Sequence, residues 1–466
     1  MSKIKLISLP YQPELAALFP NFAHLPFPIV FDSNHATFKE TRFDILSAAP
    51  ACTVHIERED SGVTWHQSPL FQTKDGVAPL PLLEHIMQTM TTQEWAQEMD
   101  ASLPFTGGLL GYYGYEVGRH VERLPQNVIE DVQVPELLMG LYTWALISDH
   151  EQQSTYLMIT PWCVQDETEL LSLVQQVPPS RQTEPFQLGT PFQANMTEME
   201  YLSKFDRIQD YIRAGDCYQV NLAQRFSAPY QGETWAAYQA LKQACPTPYS
   251  VYFKLDDRRA ILSHSPERFL LCNDGYVESK PIKGTRPRGA TPEQDQYYAD
   301  QLMNSEKDRA ENLMIVDLLR NDLGRTCVTG SVSVPKLFAL ESYPNVHHLV
   351  STVSGRVNQR HDPIRVFHES FPGGSITGAP KVRSMEIIDE LEPHQRSAYC
   401  GAFVYFSCNG QMDSNITIRT LVADGENIHC WAGGGIVADS VGLEEYQETF
   451  TKVGKLTHTL EDSFLR

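Results

Sequence analysis

RFLLCNDGYVESK, residues 268–280, holds two short β-prone runs separated by Asn273-Asp274-Gly275. Asp-Gly between such runs supplies the positive backbone angles of a tight hairpin turn, so the stretch predicts two antiparallel neighbours. The same signal recurs around it. CYQVNLAQRF (217–226) alternates apolar and polar residues. Asn409-Gly410 separates CGAFVYFS from NITIRTLV, and Asp424-Gly425 leads into NIHCWA. Helices are interleaved with these hairpins. Thr197 and Glu200 form a capping-box pattern ahead of Tyr201, Leu202, Phe205, Ile208 and Ile212, and Gly215 supplies a stop, which predicts a helix over 198–214. Two further helices are predicted over 308–321 and 443–456. Hairpins mixed with helices argue for an α+β fold, not a doubly wound parallel sheet.

The amino-terminal half carries strand-like pieces at 51–58 and 138–147. GGLLGYYGYEVGR (107–119) is glycine-rich without the strand-turn-helix context of a nucleotide fingerprint, and reads as close backbone packing beneath aromatic rings. VPPSRQTEPFQLGTPFQAN (177–195) contains four prolines and few aliphatic residues. It reads as a linker. The expected organisation is an amino-terminal region over 1–177, a linker over 178–196 and a catalytic domain over 197–460.

At 466 residues, with 42% hydrophobic and 20% charged residues, the chain has the composition of an ordinary globular protein. The net charge of −21 denies it the basic footprint of a nucleic-acid or anionic-membrane binder. An anionic substrate would then need a local cluster of positive groups. The 9 cysteines are scattered and no CxxC occurs, which predicts reduced thiols in a cytoplasmic protein. The start MSKIKLISLPYQPE lacks the apolar core of a signal peptide.

Chemistry concentrates in the second half. GGSITGAPK (373–381) fails the phosphate-loop pattern because Ala379-Pro380 separates Gly378 from Lys381, although a loop before a helix start can present backbone amides to an anion. Glu311 lies on one predicted helix, and Glu444, Glu445 and Glu448 lie on another. Glu445, Glu448 and Lys452 share a face by their spacing. Carboxylates from two helices suit Mg²⁺, which takes few protein oxygens and leaves sites for water and substrate. Lys283 lies in PIKGTRPRG (281–289), where Gly284 permits close approach and Arg286 and Arg288 add positive charge. A lysine nucleophile must be neutral, and burial pushes it that way.

The motifs YQVNLAQRF (218–226), SPERFL (265–270), PIKGTRPRG (281–289), ENLMIVDLLRNDLGR (311–325), VHHLVSTVSG (346–355), FPGGSITGAPK (371–381), IRT (418–420), AGGGIVADS (432–440) and EEYQETFTK (444–452) occur in one order over almost all of 197–455. In them the chain resembles the chorismate-utilising enzymes, the family of anthranilate, aminodeoxychorismate and isochorismate synthases. GGLLGYYGYE and FDSNHATFKETRFDI (31–45) resemble the amino-terminal part of the anthranilate and aminodeoxychorismate branches. PIKGT, where anthranilate synthases read PIAGT, places the resemblance in the aminodeoxychorismate branch. The alternatives are an anthranilate synthase large subunit or a non-catalytic subunit that binds tryptophan or chorismate.

The resemblance implies two antiparallel sheets packed face to face with helices outside. It implies that Lys283 attacks chorismate, that Glu267 is the general acid and that His348 lies beside the ring. Thr285, Arg419, Gly433, Gly434, Gly435 and Lys452 would bind substrate. Glu311 and Glu448, with Glu445 nearby, would hold Mg²⁺. Ammonia would come from a separate glutamine amidotransferase subunit, since no cysteine here lies between glycines as Gly-x-Cys-x-Gly. Ser33 and the segment Pro248, Tyr249 and Ser250 would correspond to a tryptophan pocket, although both depart from the family pattern.

Overall fold

The computed structural model describes residues 3–39, 41–58, 60–72, 76–97, 102–178, 184–342, 346–359 and 361–465. The hairpin that opens the sequence reading forms as expected: Asn273 pairs with Tyr276 across Asp274-Gly275. Both turn residues have positive φ, 48° and 75°, the geometry that matches the right-handed twist of flanking strands. The helix Glu198–Ala214 begins at a Thr197–Glu200 capping box and ends at Gly215 with φ 81°. The other predicted helices are longer than expected, Glu306–Gly324 and Gly442–Phe464.

The strands make two antiparallel sheets of 13 and 11 strands among the described residues. In the first, Ile29–Asp32, Tyr249–Lys254, Arg259–Ser265, Thr420–Asp424, Asn427–Ile436 and Gln219–Gln231 follow one another. In the second, Ile282–Pro287, Val346–Arg356, Tyr276–Ser279, Arg268–Asn273, Met412–Asn415, Ala402–Ser407 and Gly108–Tyr113 do so. The sheets face each other over an apolar layer in which Phe31 meets Phe403 and Tyr112 meets Phe253, at ring separations of 6.4 and 6.2 Å. Helices Trp235–Ala244 and Gly442–Phe464 cover the other face of the first sheet through a second core that includes Trp235, Tyr238 and Leu456. Helices Pro79–Thr91, Glu306–Gly324 and Asp362–Ser370 lie against the second sheet and one another.

Three sequence expectations take a different form. Each sheet draws strands from both sides of the proline-rich segment, so the seam at 178–196 does not divide the sheets; its described part adds Gln187–Leu188 and Gln193–Ala194 to the strand Gln219–Gln231. The run 138–147 is two strands, Leu137–Tyr142 in the second sheet and Trp144–Asp149 in the first. NITIRTLV likewise changes sheets, from Met412–Asn415 to Thr420–Asp424. Residues 138–147 are apolar but for Gly140 and Thr143, and Asn415–Arg419 alternates polar and apolar residues as a single strand would, so in neither run does the pattern mark the crossing.

The glycines of 107–119 pack as expected: a Cβ on Gly108 would stand 2.0 Å from Phe406 O, and one on Gly111 2.1 Å from Leu138 O. All nine cysteines are unbridged and all but Cys163 are buried. Among the described residues no helix is long and apolar enough to cross a membrane.

Candidate active site

The chemical groups gather where the chain changes sheets. Ser-Pro-Glu carries it from Arg259–Ser265 to Arg268–Asn273, and residues 416–419 carry it back from Met412–Asn415 to Thr420–Asp424. The crossings run side by side. Ile416 N donates to Glu267 O at 3.0 Å, Ser265 Oγ donates to Ile416 O at 2.5 Å, and His264 N donates to Arg419 O at 3.0 Å. Glu267 and Arg419 therefore come to one seam although about 150 residues separate them in sequence. Arg419 takes φ 50° at the turn of the crossing. Its side chain is exposed, its guanidinium makes no hydrogen bond or ion pair among the described residues, and partial desolvation by the surrounding protein lowers its pKa from the ordinary arginine value. A positive group that is unpaired in the protein and open to solvent is suited to an anionic ligand.

Lys283 reaches the seam from the edge strand Ile282–Pro287. The next residue, Gly284, has φ 80°, and a Cβ there would meet Leu302 Cδ1 at 2.7 Å and Asp308 Cγ at 2.8 Å. Only glycine lets the strand lie this close to the helices behind it. Lys283 Nζ donates to Ser375 O at 3.3 Å, and Ser375 Oγ donates to Glu267 Oε1 at 3.2 Å. Burial lowers the lysine pKa from its ordinary value, against the opposite pull of Glu267, Glu311 and Glu448. Burial raises that of Glu267, against Lys283 and the Ser375 bond. Each shift favours the neutral member, an amine beside a carboxylic acid. Thr285 Oγ1 and His348 Nδ1 pair at 2.9 Å across the adjoining strands, and burial lowers the His348 pKa. Arg286 and Arg288 point elsewhere: they pair with Asp308 at 3.0 Å and with Asp295 at 2.7 Å.

The glycine run sits in the first sheet, where Gly433, Gly434 and Gly435 face Ala223, Leu222 and Asn221. On the other side, Thr420–Asp424 stops pairing at Leu421 opposite Cys430. Asn221 N goes to Thr377 O and Ala223 N to Glu392 Oε1, so it is Leu222 that exchanges ladder bonds with Gly434. By the alternation of an antiparallel ladder, the amides of Gly433 and Gly435 point to the vacated side. The expectation that all three amides hold substrate is thereby narrowed to two. Gly434 has a different constraint, since a Cβ there would stand 2.6 Å from Glu445 Oε2.

Helix Gly442–Phe464 packs on this strand. Lys452 Nζ donates to Gly433 O at 2.9 Å and pairs with Glu448 at 2.6 Å, and Glu445 accepts from Ser440 Oγ at 2.7 Å. Glu311 approaches from helix Glu306–Gly324. Burial is the chief cause of its raised pKa, and Glu448 raises it further; Glu445 is raised in the same way. Among the described residues no three His, Cys, Asp or Glu side chains form a ready cation cage. A few carboxylates that repel one another, reached from two helices, are a donor set that suits a hard cation sharing its shell with water and substrate.

Ser33 and Ser250 are neighbours through Asn34, whose Nδ2 donates to Thr247 O at 2.7 Å and Ser250 Oγ at 3.1 Å. The Ser33 amide and hydroxyl both go to Asp44, at 2.8 and 2.7 Å. Tyr249 lies under Arg268, whose guanidinium carbon is 4.9 Å from the ring centre. Ser375 escapes a motif-based reading because neither the failed phosphate-loop pattern nor the family motif FPGGSITGAPK (371–381) assigns its side chain a role. A small polar residue between glycines in that loop was the available signal. Lys381 of the same motif turns away to Asp322, at 2.8 Å.

Comparison with known proteins finds relatives along nearly the whole chain. The chain is 45% identical to aminodeoxychorismate synthase component 1 of Salmonella typhimurium over 98% of each chain. It is 46% identical to the Escherichia coli protein of the same name over 95% of each. The solved structure of anthranilate synthase component I from Streptococcus pneumoniae is 30% identical, with a TM-score of 0.77 over 90% of this chain and 92% of that one. Residues 38–458 match the chorismate binding enzymes, and the chain belongs to that family.

Proposed function

We propose that the chain is an aminodeoxychorismate synthase component 1, converting chorismate and ammonia to 4-amino-4-deoxychorismate on the route to 4-aminobenzoate and folate. The carrying observation is Lys283, held by Ser375 beside Glu267 at the seam. The relatives that share 45% and 46% identity over nearly the whole of both chains bear this name.

In this reading the Lys283 amine adds its lone pair to carbon 2 of chorismate, both ring double bonds shift in sequence, from carbons 1–2 to 1–6 and from 5–6 to 4–5, and the bond from carbon 4 to its hydroxyl breaks. Glu267 gives that hydroxyl a proton, so that it leaves as water, and the proton shed by the new secondary amine restores the acid. Ammonia then adds at carbon 4, the two double bonds shift back, and the carbon–nitrogen bond to Lys283 breaks as a proton shed by the added nitrogen passes to the lysine nitrogen, which returns the free amine. One hard displacement becomes two easier ones. Arg419, the Gly433 and Gly435 amides and Lys452 hold carboxylate oxygens, and the Thr285–His348 pair lines the ring. Glu311 and Glu448, with Glu445 nearby, would hold Mg²⁺, which when bound supplies positive charge for the ring carboxylate. A −21 chain thus captures a dianion through a few placed donors.

Ammonia comes from a separate glutamine amidotransferase chain, because no cysteine of this one sits in that enzyme's nucleophile turn. Tryptophan is proposed for the Ser33 and Pro248–Ser250 region, with its Ser33 hydroxyl already committed to Asp44. The test is product identity. With chorismate, Mg²⁺ and ammonium, mass analysis should find aminodeoxychorismate and no pyruvate; anthranilate as the main product would overturn the assignment.

A further inference from the structure

We propose that Arg396 is a positioning residue, which clamps the Ser375 loop to the strand that faces the glycine run and so sets both walls of the site. The inference rests on the roles given above to Lys283 and Glu267.

Arg396 is 1% exposed. Its Nη1 donates to Ile376 O at 3.1 Å, and its Nη2 donates to Asn221 O at 3.0 Å. Ile376 follows Ser375, the residue bonded to both Lys283 and Glu267. Asn221 lies opposite Gly435, whose amide points into the site. One planar guanidinium thus fixes the distance between the loop that orients the amine and acid and the strand that backs the glycine amides. Glu392 completes the clamp. It takes Arg396 Nε at 2.9 Å and Nη2 at 2.6 Å, and its Oε1 also accepts Ala223 N at 2.8 Å, opposite Gly433. Tyr115 lies under the guanidinium at 4.7 Å, and Glu116 accepts the Arg396 backbone amide at 2.8 Å. The guanidinium is a fork with fixed angles; an ammonium in its place keeps the charge but cannot reach both carbonyls and Glu392 in one plane.

A displacement of about 1 Å at reacting groups costs as much as 100-fold in rate. Arg396→Lys should therefore lower kcat about 10- to 100-fold while the chorismate KM stays within about threefold. The pH dependence of kcat should also shift, since the Ser375 bond favours the ionised form of Glu267. A merely structural residue would lower the melting temperature and leave kcat per folded enzyme and the pH profile unmoved, and that result would overturn the proposal. Glu392→Gln is the second variant, for the case in which Arg396→Lys does not fold. It should show the same kcat-specific loss to a smaller degree, and an unchanged kcat would count against the clamp. Lys283→Ala and Glu267→Gln run alongside. If they retain full activity, the reading of the site fails; if they are inactive while Arg396→Lys keeps its kcat and pH profile, only the clamp fails.

Discussion

The backbone amide of His264 donates to the carbonyl of Arg419 at 3.0 Å, and this bond ties together the two places where the chain passes between sheets. On one side of the tie the crossing carries Glu267; on the other it carries Arg419. The acid of the site and a cation unpaired among the described residues are therefore positioned by the same backbone seam.

Arg419 should matter for binding more than for folding, because its guanidinium has no partner among the described residues. A hydrogen bond to a charged group contributes about 1.5–3 kcal/mol. Arg419→Gln should accordingly raise the chorismate KM at least about tenfold without lowering the melting temperature. Steady-state kinetics beside thermal unfolding checks this, and an unchanged KM would remove the residue from the substrate site.

Glu311 and Glu448 should act through the cation. Glu311→Gln and Glu448→Gln should each move half-maximal activity to higher Mg²⁺ and weaken Mg²⁺ binding in calorimetry, with the fold intact. A second effect separates metal from structure. Burial and Glu448 raise the Glu311 pKa, so its ionised form is less favourable folded than unfolded. Removing that charge should leave the metal-free protein at pH 8 as stable as before or slightly more so. Loss of stability without any change in Mg²⁺ response would contradict the role.

Glu116 gives a pH test of the buried network behind the site. It is 2% exposed, and burial pushes its pKa from 4.5 up to about 7. A raised folded value means the stabilising contribution is complete below 4.5 and is lost as pH rises through about 7. The loss is on the order of 3 kcal/mol at most. Glu116→Gln cannot ionise, so it should gain stability over the parent between pH 5 and 8 and show no such gain below pH 4.5. Denaturant midpoints at several pH values measure the difference; a constant offset would show that Glu116 does not titrate in that window.

Much of this was legible in the chain. Thr197, Glu200 and Gly215 marked a helix to the residue, because caps are local chemistry. Asp274-Gly275 marked its turn for the same reason. The crossings at Thr143 and at 416–419 were not legible, since the mostly apolar run around Thr143 and the polar–apolar alternation of Asn415–Arg419 each continue through the change of sheet. Family resemblance named Lys283, Glu267 and Arg419, but Ser375 and Arg396 emerge only from long-range hydrogen bonds. Ser375 lies 92 residues from Lys283, and Arg396 lies 175 from Asn221. The narrowing of the glycine run to Gly433 and Gly435 likewise follows from ladder phase, which composition does not encode.

The covalent role of Lys283 is the central claim, and peptide mass analysis tests it most directly. Enzyme incubated with chorismate and Mg²⁺ but no ammonia should carry a chorismate-derived mass on the peptide containing Lys283. Lys283→Ala should lose both that adduct and most product. Lys283→Arg should be equally inactive, because a guanidinium stays protonated and offers no lone pair. An active Lys283→Arg enzyme with no adduct on the parent chain would contradict the account, and would reduce Lys283 to a fixed positive charge beside the ring.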